Sequence, residues 1–139
     1  MADHVRSIKG VSQEMVDKLA EHKITNVDHL LETLATPQAR RDMAKSLGIT
    51  PAALTDIVNR ADLSRLHGVG TVFADLLEEA GVDSVKELAH RVAANLHPAL
   101  EKANAEHKLT SHVPTLAQVE AWVAHAKELM AAGKAVQED

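Results

Sequence analysis

The residues best placed to do chemistry are Gly68, Val69, Gly70 and Thr71, preceded by Leu66 and His67. Two glycines flanking one apolar residue let a chain end a helix, reverse and start another within a few positions. The first glycine admits a positive φ and the second a close approach of the backbone. Val69 between them plugs the core. The unpaired N–H groups of Gly70 and Thr71 then open the next helix, a place suited to an anion such as a phosphate oxygen. Arg65 and His67 stand beside this turn, with Arg60 one helical turn upstream. A second, weaker version lies at Lys9, Gly10, Val11 and Ser12, where Ser12 replaces the second glycine. Serine caps the helix that follows and makes close approach to a phosphate harder there.

Other chemistries find less support. The chain has no cysteine, which excludes disulfides, thiolate metal sites and cysteine nucleophiles. Its nine histidines include no pair three or four apart; His22/His29 and His90/His97 are seven apart, so no helix face carries a ready metal site. We expect no metal and no cofactor, and read the histidines as surface residues. Phe73 and Trp122 are the only aromatics and fall at core spacing, so stacking platforms for bases are absent. There is no phosphate-cradling Gly-Lys-Ser/Thr loop, no dinucleotide glycine pattern after a strand and no His-Glu-x-x-His helix. No catalytic residue is expected.

Charge argues against a phosphate ligand. The chain carries 15 basic and 20 acidic residues, net −5. Residues 1–63 hold 8 and 9 of these, residues 64–139 hold 7 and 11. The half with the better glycine turn is thus the more acidic, and Glu78 and Glu79 lie in the helix that the turn opens. Phosphate contacts need compensating cations.

The elements that must hold these residues are helices. Hydrophobic residues make up 45 % of the 139-residue chain, drawn almost wholly from Leu, Val, Ile, Met and Ala. Apolar residues recur every three or four positions between clear start and stop signals. Thr50-Pro51 reads as an N-cap followed by proline, Ser84/Glu87 and Thr115/Gln118 as capping boxes, and Gly48, Gly81 and Gly133 as helix-ending glycines. Eight helices are predicted, near 12–22, 26–35, 38–47, 51–61, 71–80, 84–94, 97–107 and 115–132, with no sheet. A polar tail at 133–139 is expected to fray. No apolar run is long enough to span a bilayer, and the start lacks a signal peptide's apolar stretch; a soluble, cytoplasmic protein without membrane contact is expected.

The chain also repeats itself. Shifted by 58 residues, Gly10-Val11 meets Gly68-Val69, and Asp17, Leu19, Glu21, Val27 and Leu30 meet Asp75, Leu77, Glu79, Val85 and Leu88. Ile8, Met15, Val16, Ile24 and Leu34 meet Leu66, Phe73, Ala74, Val82 and Val92. The match resumes at a shift of 65, pairing Ile57, Val58 and Ala61 with Trp122, Val123 and Ala126, which implies seven extra residues between Leu96 and Val113. A first repeat over 1–63 and a second over 64–132 are expected, packed about a pseudo-twofold axis.

The run Leu66 to Leu77, followed by Ala80-Gly81-Val82, resembles the helix-hairpin-helix motif: apolar-x-Gly-apolar-Gly, a helix, then Gly-apolar. In that family the hairpin grips nucleic-acid phosphates without reading sequence. Its DNA glycosylases carry a catalytic Lys and Asp after the hairpin, whereas Thr71-Val72-Phe73 supplies no such lysine. From about residue 5 to 130 the chain resembles a bacterial domain family of unknown function with two degenerate units of this kind. Gly10-Val11, Ala61-Asp62-Leu63, Gly68-Val69-Gly70, Ala80-Gly81-Val82 and Trp122 to Lys127 carry that likeness, which implies a fold and no activity. The leading expectation is a non-enzymatic interaction or adaptor module that binds a protein partner or itself. The alternative is sequence-independent nucleic-acid binding through Gly68–Thr71, helped by Arg65, His67 and Lys9. A third is a small-ligand carrier with a site, for haem or another molecule, between the repeats near Trp122.

Overall fold

Serine, threonine and asparagine set where most helices begin. In the computed structural model, which describes residues 4–66 and 68–137, eight α-helices follow a 3-10 turn at Val5–Ser7: α1 (Gln13–Glu21), α2 (Val27–Thr33), α3 (Pro37–Leu47), α4 (Pro51–Ser64), α5 (Gly70–Glu79), α6 (Val85–Ala89), α7 (Ala93–His107) and α8 (Leu116–Ala131). The all-α expectation holds, and the described residues form no sheet. Side chains of Ser12, Asn26, Thr36, Thr50, Ser84 and Thr115 each accept from the backbone N–H three residues on. Each satisfies a donor that the first turn leaves unpaired, worth about 1 kcal/mol per cap. Thr115 and Gln118 complete a reciprocal capping box; Glu87 instead reaches the N–H of Asp83 at 3.3 Å.

The boundaries depart from expectation in two places. Helix α6 stops at Ala89, five residues short, and α7 starts at Ala93, four early. Pro98, near the start of the helix expected at 97–107, lies well inside α7. The carbonyl that its missing N–H leaves unpaired in the ladder belongs to exposed Ala94, so water can take the bond and the helix tolerates it.

The 58-residue register is written in hydrogen bonds. Val11 donates to Ile8 as Val69 does to Leu66, at 3.2 and 3.0 Å, and Ile24 to Leu19 as Val82 does to Leu77, both at 2.9 Å. Gly10 and Gly68 take φ of 95° and 83°. The caps Asn26 and Ser84 occupy equivalent positions. One matched pair fails: Leu34 is fully buried, while Val92 is 60 % exposed at the start of α7.

Two apolar clusters result. One gathers residues between Val5 and Ala61, together with Val136; the other runs from Leu63 to Ala126. Both draw on α4, whose last turns pass from the first cluster to the second. Asp62 sits at that crossing, 1 % exposed. Its Oδ2 accepts from the N–H of Val85 at 2.9 Å, at the start of α6, and its Oδ1 pairs with Arg65. The carboxylate thereby fixes α6 to α4 through a favourable helix N-terminus.

The segment after α8, expected to fray, is docked as far as Gln137. Val136 is buried in the first cluster, and Gln137 donates to the carbonyl of Ala35 at 2.9 Å. A single apolar side chain and paired backbone groups outweigh the polar look of the segment.

Asp62→Ala removes a buried carboxylate and strands Arg65 and the Val85 N–H, so urea denaturation is expected to show a loss of about 3–5 kcal/mol. Asp62→Asn, which keeps an acceptor for Val85, is expected to lose less.

Candidate functional site

The two glycine turns come together against α4. Lys9 from the first and Thr71 from the second line one small recess, with Arg60, Ser64 and Asp75. Lys9, expected to stand beside the Gly68–Thr71 turn, does so although 62 residues separate it from Thr71.

Gly68 takes the positive φ expected of it, while Gly70 plays a different part. Gly70 has φ of 63°, and among the described residues a Cβ built on it would meet nothing within 4 Å. It serves the backbone conformation, not a close approach within the chain. Gly68 likewise has open space apart from Trp122 Nε1 at 3.7 Å. The crowded glycine is Gly10, where a Cβ would stand 3.1 Å from Arg60 Nη1 and 3.6 Å from Ile57 Cγ1. Trp122 and Ile57 are partners in the 65-residue register, so each repeat lays its turn glycine over the matching residue of its closing helix. Val69 is buried as expected, while Val11 is half-buried. Ser12 caps α1, accepting from Met15 at 3.2 Å, whereas α5 opens without any side-chain cap.

The cations are largely committed. Arg60 Nε and Nη2 donate to the two oxygens of Glu78 at 2.8 and 3.0 Å, and Nη1 donates to the carbonyl of Lys9 at 3.1 Å. This fork ties α4 to α5 and to the first turn. The hydrogen bonds to Glu78 hold the guanidinium proton more tightly than usual, against the desolvation that loosens it. Arg65 pairs with Asp62 and donates from Nη2 to the carbonyl of Lys134 at 2.7 Å. Either arginine would have to abandon a buried or half-buried partner to meet a phosphate. Lys9 is exposed. His67 lies outside the described residues.

Glu78, Asp62 and Asp75 were not among the site residues expected from the sequence. The Arg60–Glu78 pair, 18 residues apart on different helices, carried no signal there. Burial pushes the Asp75 carboxyl above the usual carboxylate range, with Lys9 and Arg60 pulling it back.

Trp122 is 2 % exposed and packs on Phe73, ring centroids 5.4 Å apart and planes tilted by 46°. Among the described residues no group of three His, Asp or Glu side chains converges as metal ligands would, and no helix is long and apolar enough to cross a membrane. A groove of about 470 Å³ lies elsewhere, between α2 and the segment after α8, where Asp28, Glu32, Arg65 and Lys134 line it.

Two predictions follow from this geometry. Gly70→Ala meets only the left-handed backbone penalty, about 1–2 kcal/mol, and Gly10→Ala adds a clash with Arg60 and Ile57; thermal melts are expected to show the larger loss for Gly10→Ala. Asp75, with its folded value raised, favours the fold while protonated and loses that contribution as pH rises through the folded value. Asp75→Asn is therefore expected to melt higher than the parent near neutral pH, with the gap closing as the solution is acidified below the carboxylate range.

No curated protein and no solved structure matches the chain. A family model does match, over residues 9–129, and on that match the chain belongs to the family described as a domain of unknown function, DUF4332.

Proposed function

We propose that this chain is a non-enzymatic interaction module whose second glycine turn, Gly68 to Val72, is a contact face for a protein partner. One observation carries the reading. Both arginines beside the turns are bound to internal carboxylates, while the turn itself offers open glycine backbone next to Val72, which is 48 % exposed. A partner that meets this face with apolar atoms and backbone groups needs no cation from it. Phe73, half-buried beside Val72, extends the same apolar strip. The other large apolar residues exposed among the described ones, Val92 and Leu116, sit at the starts of α7 and α8. They do not extend the strip along α5.

Nucleic-acid binding is the second reading, favoured by the uncapped start of α5 and by the helix-hairpin-helix resemblance. Against it stand Asp75 and Glu78, which share the neighbourhood of Lys9 and Thr71. Their charge would repel a phosphate backbone, and the helix N-terminus alone contributes too little to reverse that.

A photo-crosslinking residue placed at Val72 in cells is expected to yield protein adducts, diminished by Gly70→Ala, while the same residue at exposed Ser111 yields none. Equal labelling at both positions would sink the reading. In parallel, anisotropy of labelled DNA and RNA at about 50 and 200 mM salt is expected to show no tight binding; affinity that collapses with salt would promote the second reading.

A further inference from the structure

The first repeat grips a length of backbone from beyond α8. Gly133 takes a left-handed φ of 71°, and Gly133 and Lys134 donate to the carbonyls of Met130 and Leu129 at 3.1 and 2.9 Å, which ends the helix and turns the chain. Residues 134–137 then run as a non-helical strap against α2 and α3. Arg40, 2 % exposed on α3, donates from Nη1 to the carbonyl of Leu34 at 3.0 Å and from Nη2 to that of Gln137 at 2.6 Å. The N–H of Gln137 donates to Ala35 at 2.9 Å. Both backbone groups of one strap residue are thus paired with the first repeat, and the preceding side chain, Val136, enters its core at 6 % exposure.

Main-chain hydrogen bonds combined with a pocket for one side chain are the means by which proteins hold extended peptides. A guanidinium buried as deeply as that of Arg40 is costly unless its donors meet acceptors, and the Gln137 carbonyl is one of those acceptors. The strap is not roofed over: the 470 Å³ groove borders it through Lys134, Ala135 and Val136. It also hangs from a helix end at a glycine, so lifting it withdraws only Val136 from the packed interior.

We infer that the corner between α2 and α3 is a site for a short extended peptide, filled in this chain by its own residues 134–137, and that the same segment of a second copy fills it when two molecules meet. A second copy is the occupant because the strap already matches the site atom for atom, and every molecule carries both halves. Reciprocal exchange opens the Lys134 bond that ends α8 but preserves the bonds of Gln137 to Arg40 and Ala35 and the burial of Val136, and it closes a twofold pair without open ends. This inference is independent of the face at Gly68–Val72.

The absence of cysteine makes the test direct. Full-length chains carrying Ala35→Cys and Gln137→Cys are mixed in a glutathione redox buffer and resolved on non-reducing gels. The disulfide-linked heterodimer is expected to exceed both homodimers severalfold, and Val136→Asp placed on the Gln137→Cys chain is expected to remove the excess. Heterodimer at no more than its random share, or an excess that ignores Val136→Asp, overturns the inference. The doubly substituted chain, Ala35→Cys with Gln137→Cys, is expected to close internally at high dilution. If it does not close, the strap is not seated at this site and the inference falls. Internal closure without heterodimer overturns it as well, leaving an intramolecular clasp.

Discussion

The carboxylate of Asp62 stands between two apolar cores, and the arrangement of the halves depends on how it is satisfied. A carboxyl group at 1 % exposure is tolerable only when its oxygens find partners. The N–H of Val85 meets one oxygen and Arg65 the other. Arg65 in turn holds the carbonyl of Lys134, so a single chain of polar contacts runs from the start of α6 through the end of α4 to the strap beyond α8. Helix α4 closes the first core with one stretch and opens the second with the next, and Asp62 marks the residue where it changes allegiance. Hydrophobic burial holds each half together; this polar chain fixes their mutual register.

The two stretches matched by the 58-residue shift differ in instructive ways. At the end of α1 the backbone enters the left-handed region at Lys23, φ 63°, where the second repeat uses Gly81, φ 94°. A lysine there costs about 1 kcal/mol against glycine, yet the hydrogen bonds on either side are the same in both. The turn glycines diverged in the opposite sense. A Cβ at Gly10 would stand 3.1 Å from Nη1 of Arg60, whose Nε and Nη2 bind Glu78, while among the described residues a Cβ at Gly68 would meet only Trp122 Nε1, at 3.7 Å.

What could be read from the sequence was local. Caps at Thr50, Ser84 and Thr115, helix-ending glycines at 48, 81 and 133, and the paired Gly-Val steps all follow from backbone geometry within a few residues. They predicted eight helices and the 58-residue register. The misses were of two kinds. The start of α7 was expected four residues too late, beside Pro98, and the exposure of Ala94 lets the proline sit deeper in the helix. The Arg60–Glu78 fork and the docking of Val136 depend on three-dimensional closure, for which neither spacing nor composition holds a signal. Of the candidate residues, Val69 is buried and Ser12 caps α1 as read, while Arg65 pairs with Asp62 and Gly70 takes a left-handed φ.

The commitment of the arginines changes what the open turn can accept. An uncapped helix start offers N–H groups and a partial positive charge of about half a unit, which falls off within a turn. Asp75 lies on the first turns of the same helix, and burial already disfavours its ionised form. A second anion brought to that end would raise the cost of Asp75's charge again, whereas an apolar partner would add only desolvation, which the carboxyl can answer by taking up a proton. The charge around the turn thus supports the proposed contact with an uncharged surface, to which Val72 would supply apolar area.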